Sequence, residues 1–360
     1  MGLLHRFFAR HAPDVWELET KLLHRLGAVR PPTAVQWIAT SSCDLKCAHC
    51  YSNAGRREKN ELTAAEFGTF ILDEMKRLGC ADLVIAGGEA TLRADFPELV
   101  QRTAERGIRW SLHTHGGPVL KHRETFRRHP PAMVAVSVDG PPELHDAFRG
   151  RTGSFDAAMA AIRALKEDGC GEVVAGTTVT RANADSLADL FPFVAASGAD
   201  SWGLHLIAPE GRGAEHRELL PTPDQLRRVA GFARRKRSVM KVELDNEWGS
   251  AGADDAFFRG QPFLCGAGRF SCVVSATGEV MACTTTDLAE SEGNVRVMPL
   301  SRIWVEGFAR FRTGSRGGVT DGRECWLQSR NGHEVRAHAF STTLTVSEAA
   351  AAGGRVEGPR

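Results

Sequence analysis

AVQWIATSSCDLKCAHCY, residues 34–51, joins two kinds of sequence. Its first half is a short apolar run with the length and composition of a buried strand. Its second half holds Cys43, Cys47 and Cys50 in C-x3-C-x2-C spacing. A chain that leaves a strand and curls at once can present three thiolates to one centre, and thiolates are the ligands that iron–sulfur clusters use. With nine cysteines in 360 residues, chance produces this spacing in roughly half a per cent of such chains. The polar flanks Ser41, Ser42, Asp44, Lys46 and His49 speak against thiols packed as small apolar residues. A zinc site is the rival reading, with His49 or a distant residue as the fourth ligand.

Similar apolar runs recur at residues 81–88, 109–117, 132–140, 172–180 and 201–209, each followed by a stretch of helical period. LTAAEFGTFILDEMKRLG carries Thr63 with Glu66 three residues on, a capping box, and ends at Gly79; GSFDAAMAAIRALKEDG puts Ser154 at its cap and Gly169 at its end. Six such units over residues 34–213 predict an α/β fold, a partial (β/α)6 TIM-like barrel. Chemistry in such folds gathers where the strands end, here at TSSC, GGEA, THGG and VDG. Residues 1–33 read as an N-terminal helical extension and 214–260 as a helical linker. Residues 261–346 read as a small α+β module with a β-hairpin turning at SATGE, and 347–360 as a disordered tail.

Forty-five basic against forty-four acidic residues leave a formal charge of +1, which gives no field for gripping nucleic acid. His5, Arg6 and Arg10 interrupt the apolar N-terminus before it reaches the length of a signal or a membrane span. An odd number of cysteines without an export signal argues for metal or catalytic use. The expectation is a cytoplasmic protein with no membrane and no nucleic-acid partner.

CDLKCAHCY (43–51) resembles the cluster-binding signature of radical S-adenosylmethionine (radical SAM) enzymes. The resemblance continues through GGEA (87–90), VSVDGPPELHDAFRGRTGSFD (136–156), GADSWGLHLIAPEGRG (198–213) and GNVRVMPLSRIW (293–304), landmarks similar to those of members with a C-terminal SPASM or Twitch cluster module. It implies that Cys43, Cys47 and Cys50 hold a [4Fe–4S] cluster whose open iron chelates S-adenosylmethionine. It also implies cofactor contacts from Tyr51, Gly87, Gly88, Glu89, His115, Ser137, Asp139 and Arg149, with Glu89 receiving the methionyl ammonium. Two positions depart from the family pattern: Ala90 stands where proline is usual, and THGG (114–117) replaces Thr-Asn-Gly, bringing His115 to the pocket.

Cys265, Gly278 and Cys283 match the opening of the SPASM pattern, but Gln328, Glu334 and His338 stand at its later cysteine positions. One auxiliary [4Fe–4S] cluster is therefore expected, held by Cys265, Cys272, Cys283 and Cys325, with Cys272 open to a second reading as a packed strand thiol. Cys80 and Cys170, each between a helix-ending glycine and a strand, read as packing. His113, Arg181, Asn183, His205, Glu210 and Arg212, near strand ends, suggest a polar cavity.

The activity implied is reductive cleavage of S-adenosylmethionine to a 5′-deoxyadenosyl radical that abstracts a substrate hydrogen atom. Peptide oxidation, crosslinking or epimerisation is the first expectation, with a reduced flavodoxin- or ferredoxin-like electron donor and a separate leader-binding partner. Small-molecule oxidation or tetrapyrrole tailoring is the second. A non-catalytic zinc or iron–sulfur protein is the alternative of another class.

Overall fold

Val35 and Trp37 are fully buried while Ala34, Gln36 and Ile38 are half-buried, the period-two alternation of a strand with two different faces. This is β1 (Ala34–Ile38). The computed structural model describes residues 28–245, 265–284 and 288–313, with Leu22, Leu23, Leu26 and Trp248. Six further strands follow β1, each parallel to the one before: β2 (Asp82–Ala86), β3 (Arg109–Thr114), β4 (Met133–Ser137), β5 (Glu172–Val179), β6 (Ser201–Leu206) and β7 (Lys241–Leu244). β8 (Ser271–Val274) returns to the other edge of β1 and also runs parallel to it, with β9 (Glu279–Met281) and β10 (Gly293–Asn294) antiparallel beyond. The result is one ten-stranded sheet in the order β10-β9-β8-β1-β2-β3-β4-β5-β6-β7.

The helical run that follows β1 consists of Ala64–Glu66, a π-helical Phe67–Leu72 and Asp73–Leu78, together α1. Then come α2 (Phe96–Glu105), α3 (Arg123–Arg128), α4 (Pro142–Arg149), α5 (Ser154–Glu167), α6 (Leu187–Ala196), α7 (Arg212–Glu215), α8 (Pro223–Lys236) and α9 (Leu300–Glu306). The expected capping box is present: Thr63 N–H donates to Glu66 Oε2 at 2.9 Å and Glu66 N–H to Thr63 Oγ1 at 3.2 Å. Gly79 ends the helix in the left-handed region at φ 71°. Ser154 is not the cap of α5. Its hydroxyl donates to Asp146 of α4, and Asp146 also accepts the Gly153 and Phe155 N–H groups, so the cap comes from a preceding helix.

The partial barrel is as expected, but its edges differ from the sequence reading. The linker at 214–260 contributes β7, and the hairpin expected in a separate module extends the barrel sheet through β1. An open barrel leaves the ladder groups of its first strand unpaired on one side, and β8 supplies their partners. Among the described residues no strand joins β7 to β10, so the sheet stays open there. Alternation gives it two faces. Val35, Leu83, Trp110 and Val134 pack toward the helices, with Trp37 stacked on Phe67 of α1 at 4.1 Å, while Gln36, Ala86, His113 and Ser137 face the interior. No described helix is long and apolar enough to cross a membrane.

Candidate active site

The chain leaving β1 is fixed before it reaches the first cysteine. Glu61, nearly buried, accepts from Thr40 Oγ1, the Ser41 N–H at 2.9 Å, the Glu58 N–H at 3.1 Å and Arg57 Nε at 3.0 Å. Arg93 donates to the Ala39 carbonyl at 2.7 Å and the Leu62 carbonyl at 3.0 Å while paired with Asp95. The loop closes at its base, where Gly55 N–H meets the Ser41 carbonyl and Cys43 N–H the Gly55 carbonyl. From beyond β6, Arg212 reaches across to hold the loop's far end. Its Nε donates to the Cys47 carbonyl at 2.9 Å, its guanidinium to the Ala54 carbonyl at 2.7 Å, and its backbone N–H to the Cys50 carbonyl at 3.0 Å.

The two glycines after β2 are required by close approach. A Cβ on Gly88 would stand 2.2 Å from the Ser42 carbonyl oxygen, and one on Gly87, at φ 149°, 2.6 Å from that of Thr40. In the space thus left, Gly88 N–H donates to the Thr40 carbonyl at 2.7 Å and Glu89 N–H to the Ser42 carbonyl at 2.8 Å. The Glu89 carboxylate, 0% exposed, accepts from the Thr91 N–H and hydroxyl on one oxygen. Its other oxygen accepts from Thr114 Oγ1 at 2.8 Å and the His115 N–H at 2.9 Å.

Asp139 is equally buried. It accepts from the Thr178 N–H at 2.8 Å and from Arg149 at 2.5 Å. Burial by itself would raise this carboxyl, but the adjoining guanidinium holds it below its ordinary value. The same guanidinium lies 3.6 Å from Cys47 Sγ. Burial raises the Cys47 thiol against the opposing pull of Arg149, and pushes that of Cys43 up to about 11. His49 lies flat on Phe148 with ring centroids 4.4 Å apart, and burial, with Arg149 adding, drops its pKa to about 3. Its Nδ1 is buried without a protein partner.

These elements enclose a cavity of about 270 Å³. Cys43, Cys47 and Cys50 line it together with Tyr51, Gly87, Gly88, His115, Ser137 and Arg149, whereas Glu89 and Asp139 sit behind the wall. His113, His205 and Arg212 from the expected polar set also reach it. Arg181 and Asn183 do not. Arg181 donates to the Leu220 carbonyl, and Asn183 braces the turn after β5 with bonds to the Asp139 and Thr178 carbonyls. Glu210 lies outside the lining as well.

The remaining cysteines separate into two groups. Cys265 and Cys283, half-buried, flank β8 and β9 at the open end of that hairpin, and Thr284 beside Cys283 contributes to the cavity wall. Cys272, read as either a ligand or a packed strand thiol, lies in β8. It pairs in register with Val35, so it faces the helix layer with Val35, is 0% exposed, and has its thiol pushed up to about 12 by burial. Cys325 lies outside the described residues. Cys80 and Cys170 are core residues, as expected.

The sequence reading missed Glu61 and Arg93 altogether and, while placing Arg212 at the cavity, missed that it also clamps the loop. Their partners lie about 20, 55 and 165 residues away along the chain, beyond the reach of local periodicity.

A family model, the Radical SAM superfamily, matches residues 37–193. The mycofactocin maturase MftC of Mycobacterium ulcerans is 32% identical over 276 residues, covering 70% of this chain and 68% of that protein. The chain belongs to the radical SAM superfamily. A second relative, the AdoMet-dependent heme synthase of Nitratidesulfovibrio vulgaris, is 29% identical over 303 residues, covering 78% of this chain and 81% of that one. The crystal structure of Streptococcus suis SuiB bound to S-adenosylmethionine shares the fold with a TM-score of 0.66 at 15% identity, over 86% of this chain and 74% of that chain.

The radical SAM family implies a [4Fe–4S] cluster and S-adenosylmethionine, and the residues present fit them. Three thiols line one cavity, Gly87 and Gly88 let the strand end pack directly against the backbone that leads into the cysteine loop, and the orphaned His49 Nδ1 sits in the same loop.

Proposed function

We propose that this radical SAM enzyme modifies a peptide. When bound, the cluster and S-adenosylmethionine supply a one-electron reductive cleavage whose 5′-deoxyadenosyl radical takes a hydrogen atom from an unactivated C–H bond. The chain's own residues bind and orient. Cys43, Cys47 and Cys50 would hold the cluster, and Glu89 would receive the methionyl ammonium, with Gly87 and Gly88 letting the strand end come close. Tyr51, His115 and Ser137 would line the cofactor's seat, while Asp139 would act through Arg149, which it holds against Cys47. Cys265 and Cys283, with Cys325, would carry one auxiliary cluster, and a flavodoxin- or ferredoxin-like protein would deliver the electron.

The observation that carries the choice of substrate is the size of the cavity. About 270 Å³ is at the lower end for one small ligand, and a bound cofactor would take part of it. A substrate that inserts a single side chain suits the space left; a whole macrocycle suits it less. The peptide reading also has the support of the mycofactocin maturase likeness. The heme synthase likeness, which spans more of the chain, favours a small-molecule reading instead.

The test is anaerobic reconstitution, reduction and incubation with short peptides encoded beside the enzyme. A changed peptide mass together with 5′-deoxyadenosine is expected. Unchanged peptides, with 5′-deoxyadenosine released only when a tetrapyrrole is supplied, would establish the second reading.

A further inference from the structure

The ring of His115 stands between two carboxylates from distant parts of the chain. Its Nε2 is 2.9 Å from Oδ1 of Asp44, the residue after the first cluster cysteine, and 3.4 Å from Oε2 of Glu89 at the end of β2. Its Nδ1 accepts the Gly117 N–H at 3.2 Å. A neutral imidazole with Nδ1 accepting carries its proton on Nε2 and donates it to Asp44, while Glu89 Oε2 lies beside the same nitrogen and takes the His115 backbone N–H at 2.9 Å. The ring has little freedom. The side chain is 7% exposed, and a Cβ on Gly117 would already stand 2.9 Å from its Cε1. Asp44 is gripped from the other side by Arg151, which donates to its Oδ2 at 2.5 Å and to its carbonyl at 2.6 Å. A connected series, Arg151–Asp44–His115–Glu89, thus runs from the segment between α4 and α5, over the cysteine loop, to the buried carboxylate.

We propose that His115 is a positioning residue that couples the cysteine loop to Glu89. Thr114 and the His115 backbone already restrict Oε2 of Glu89. What the ring adds is a link between that oxygen and the segment carrying Cys43. With Glu89 read as the ammonium acceptor, the amino group of S-adenosylmethionine would have to meet both Glu89 and a metal that the loop would hold, and a misplacement of about an ångström between two such points is costly. A residue that holds Glu89 through its backbone N–H and Asp44 through its ring keeps their separation constant. The inference rests on the reading of Glu89 as the ammonium acceptor.

The test uses the full-length reconstituted protein as wild type, H115A, H115Q, D44A and the D44A/H115A double variant. Iron per chain, the S-adenosylmethionine dissociation constant and the change in the reduced cluster's EPR spectrum on adding S-adenosylmethionine are measured for each. Loss of one hydrogen bond to a charged group corresponds to roughly tenfold, so H115A should bind about tenfold more weakly at unchanged iron content, with a diminished spectral change. H115Q, which keeps an N–H donor, should remain within about threefold of wild type. D44A should weaken binding when His115 is present and add nothing in H115A, the non-additivity of two groups acting through one path. Binding by H115A within about twofold of wild type, or fully additive effects of D44A and H115A, overturns the proposal. So does iron lost in step with binding, which would make the role structural. Wild-type protein that holds its iron but binds no S-adenosylmethionine would instead overturn the reading of the site.

Discussion

One sheet carries two sets of cysteines. Cys43, Cys47 and Cys50 follow the C-terminal end of β1 into a loop and line a cavity. Cys80 and Cys170 precede β2 and β5 at the opposite end, and Cys272 points to the helix side of β8. Thiol acidity does not separate the sets: burial pushes Cys43 up to about 11, as it does Cys80, and Cys170 up to about 12. The surroundings do. The core thiols sit among apolar side chains, whereas the loop thiols have Arg149 at Cys47, an orphaned imidazole nitrogen at His49 and backbone carbonyls held by Arg212. Position on the strand, rather than burial, separates the thiols that reach the cavity from those in the core.

The largest break in that comparison is the triple variant Cys43/Cys47/Cys50→Ala. It should lose about four irons per chain, in keeping with one cubane, and form no 5′-deoxyadenosine. Cys80→Ala and Cys170→Ala should keep all their iron and lose about 1 kcal/mol of stability through smaller core side chains. Iron assays on the purified variants decide this, and a triple variant with undiminished iron would remove the loop from the metal site.

A glycine comparison comes next. A Cβ at Gly88 would strike the Ser42 carbonyl, but at Gly55, in the same loop, it would meet nothing within 4 Å. Gly88→Ala should therefore cut iron retention by about tenfold, because backbone on either side must move, whereas Gly55→Ala should leave it unchanged. Iron remaining after desalting against a chelator measures both.

Most of the parallel sheet was legible because apolar runs alternate with helix-period segments, and β1 to β6 formed where those runs lie. The cysteine loop was legible as a metal-binding candidate from its spacing, and the Gly87–Glu89 strand end from its place after an apolar run together with the family resemblance. β7 was not, since KVEL in a basic stretch has no long apolar run. Nor was the pairing of β8 with β1, which joins Cys272 to Val35 across more than two hundred residues and is set by an open sheet edge rather than by local sequence. Ser154 misled for a related reason: Asp146, on another helix, outcompetes it as a cap.

Cys272 offers a finer test. Cys272→Ala should hold as much iron as wild type and lose about 1 kcal/mol, while Cys272→Ser should lose about 2 kcal/mol by placing a hydroxyl in an apolar layer. Chemical denaturation and iron content together are decisive. A folded Cys272→Ala protein short of iron would return this residue to the ligand set.

The smallest expected effect concerns the join between the C-terminal hairpin and the barrel. Glu66 in the cap of α1 pairs with Arg296, which follows β10, at 2.7 Å. Arg296, and after it the Thr63 N–H, hold the Glu66 carboxyl down at about 2. A carboxyl depressed by folding stabilises the native state above its unfolded value of about 4.3, and that contribution is lost as the pH falls toward the folded value. The pair is partly exposed, so the contribution should be at most about 1 kcal/mol. Urea unfolding of wild type and Glu66→Gln should differ most above about pH 5 and converge near pH 2. Arg296→Ala should flatten the same pH dependence by removing the main cause of the shift. If the wild-type and Glu66→Gln curves stay parallel from pH 5 to pH 2, the ion pair adds nothing to a join then made by β8 pairing and by bonds such as Leu62 N–H to the Ala276 carbonyl.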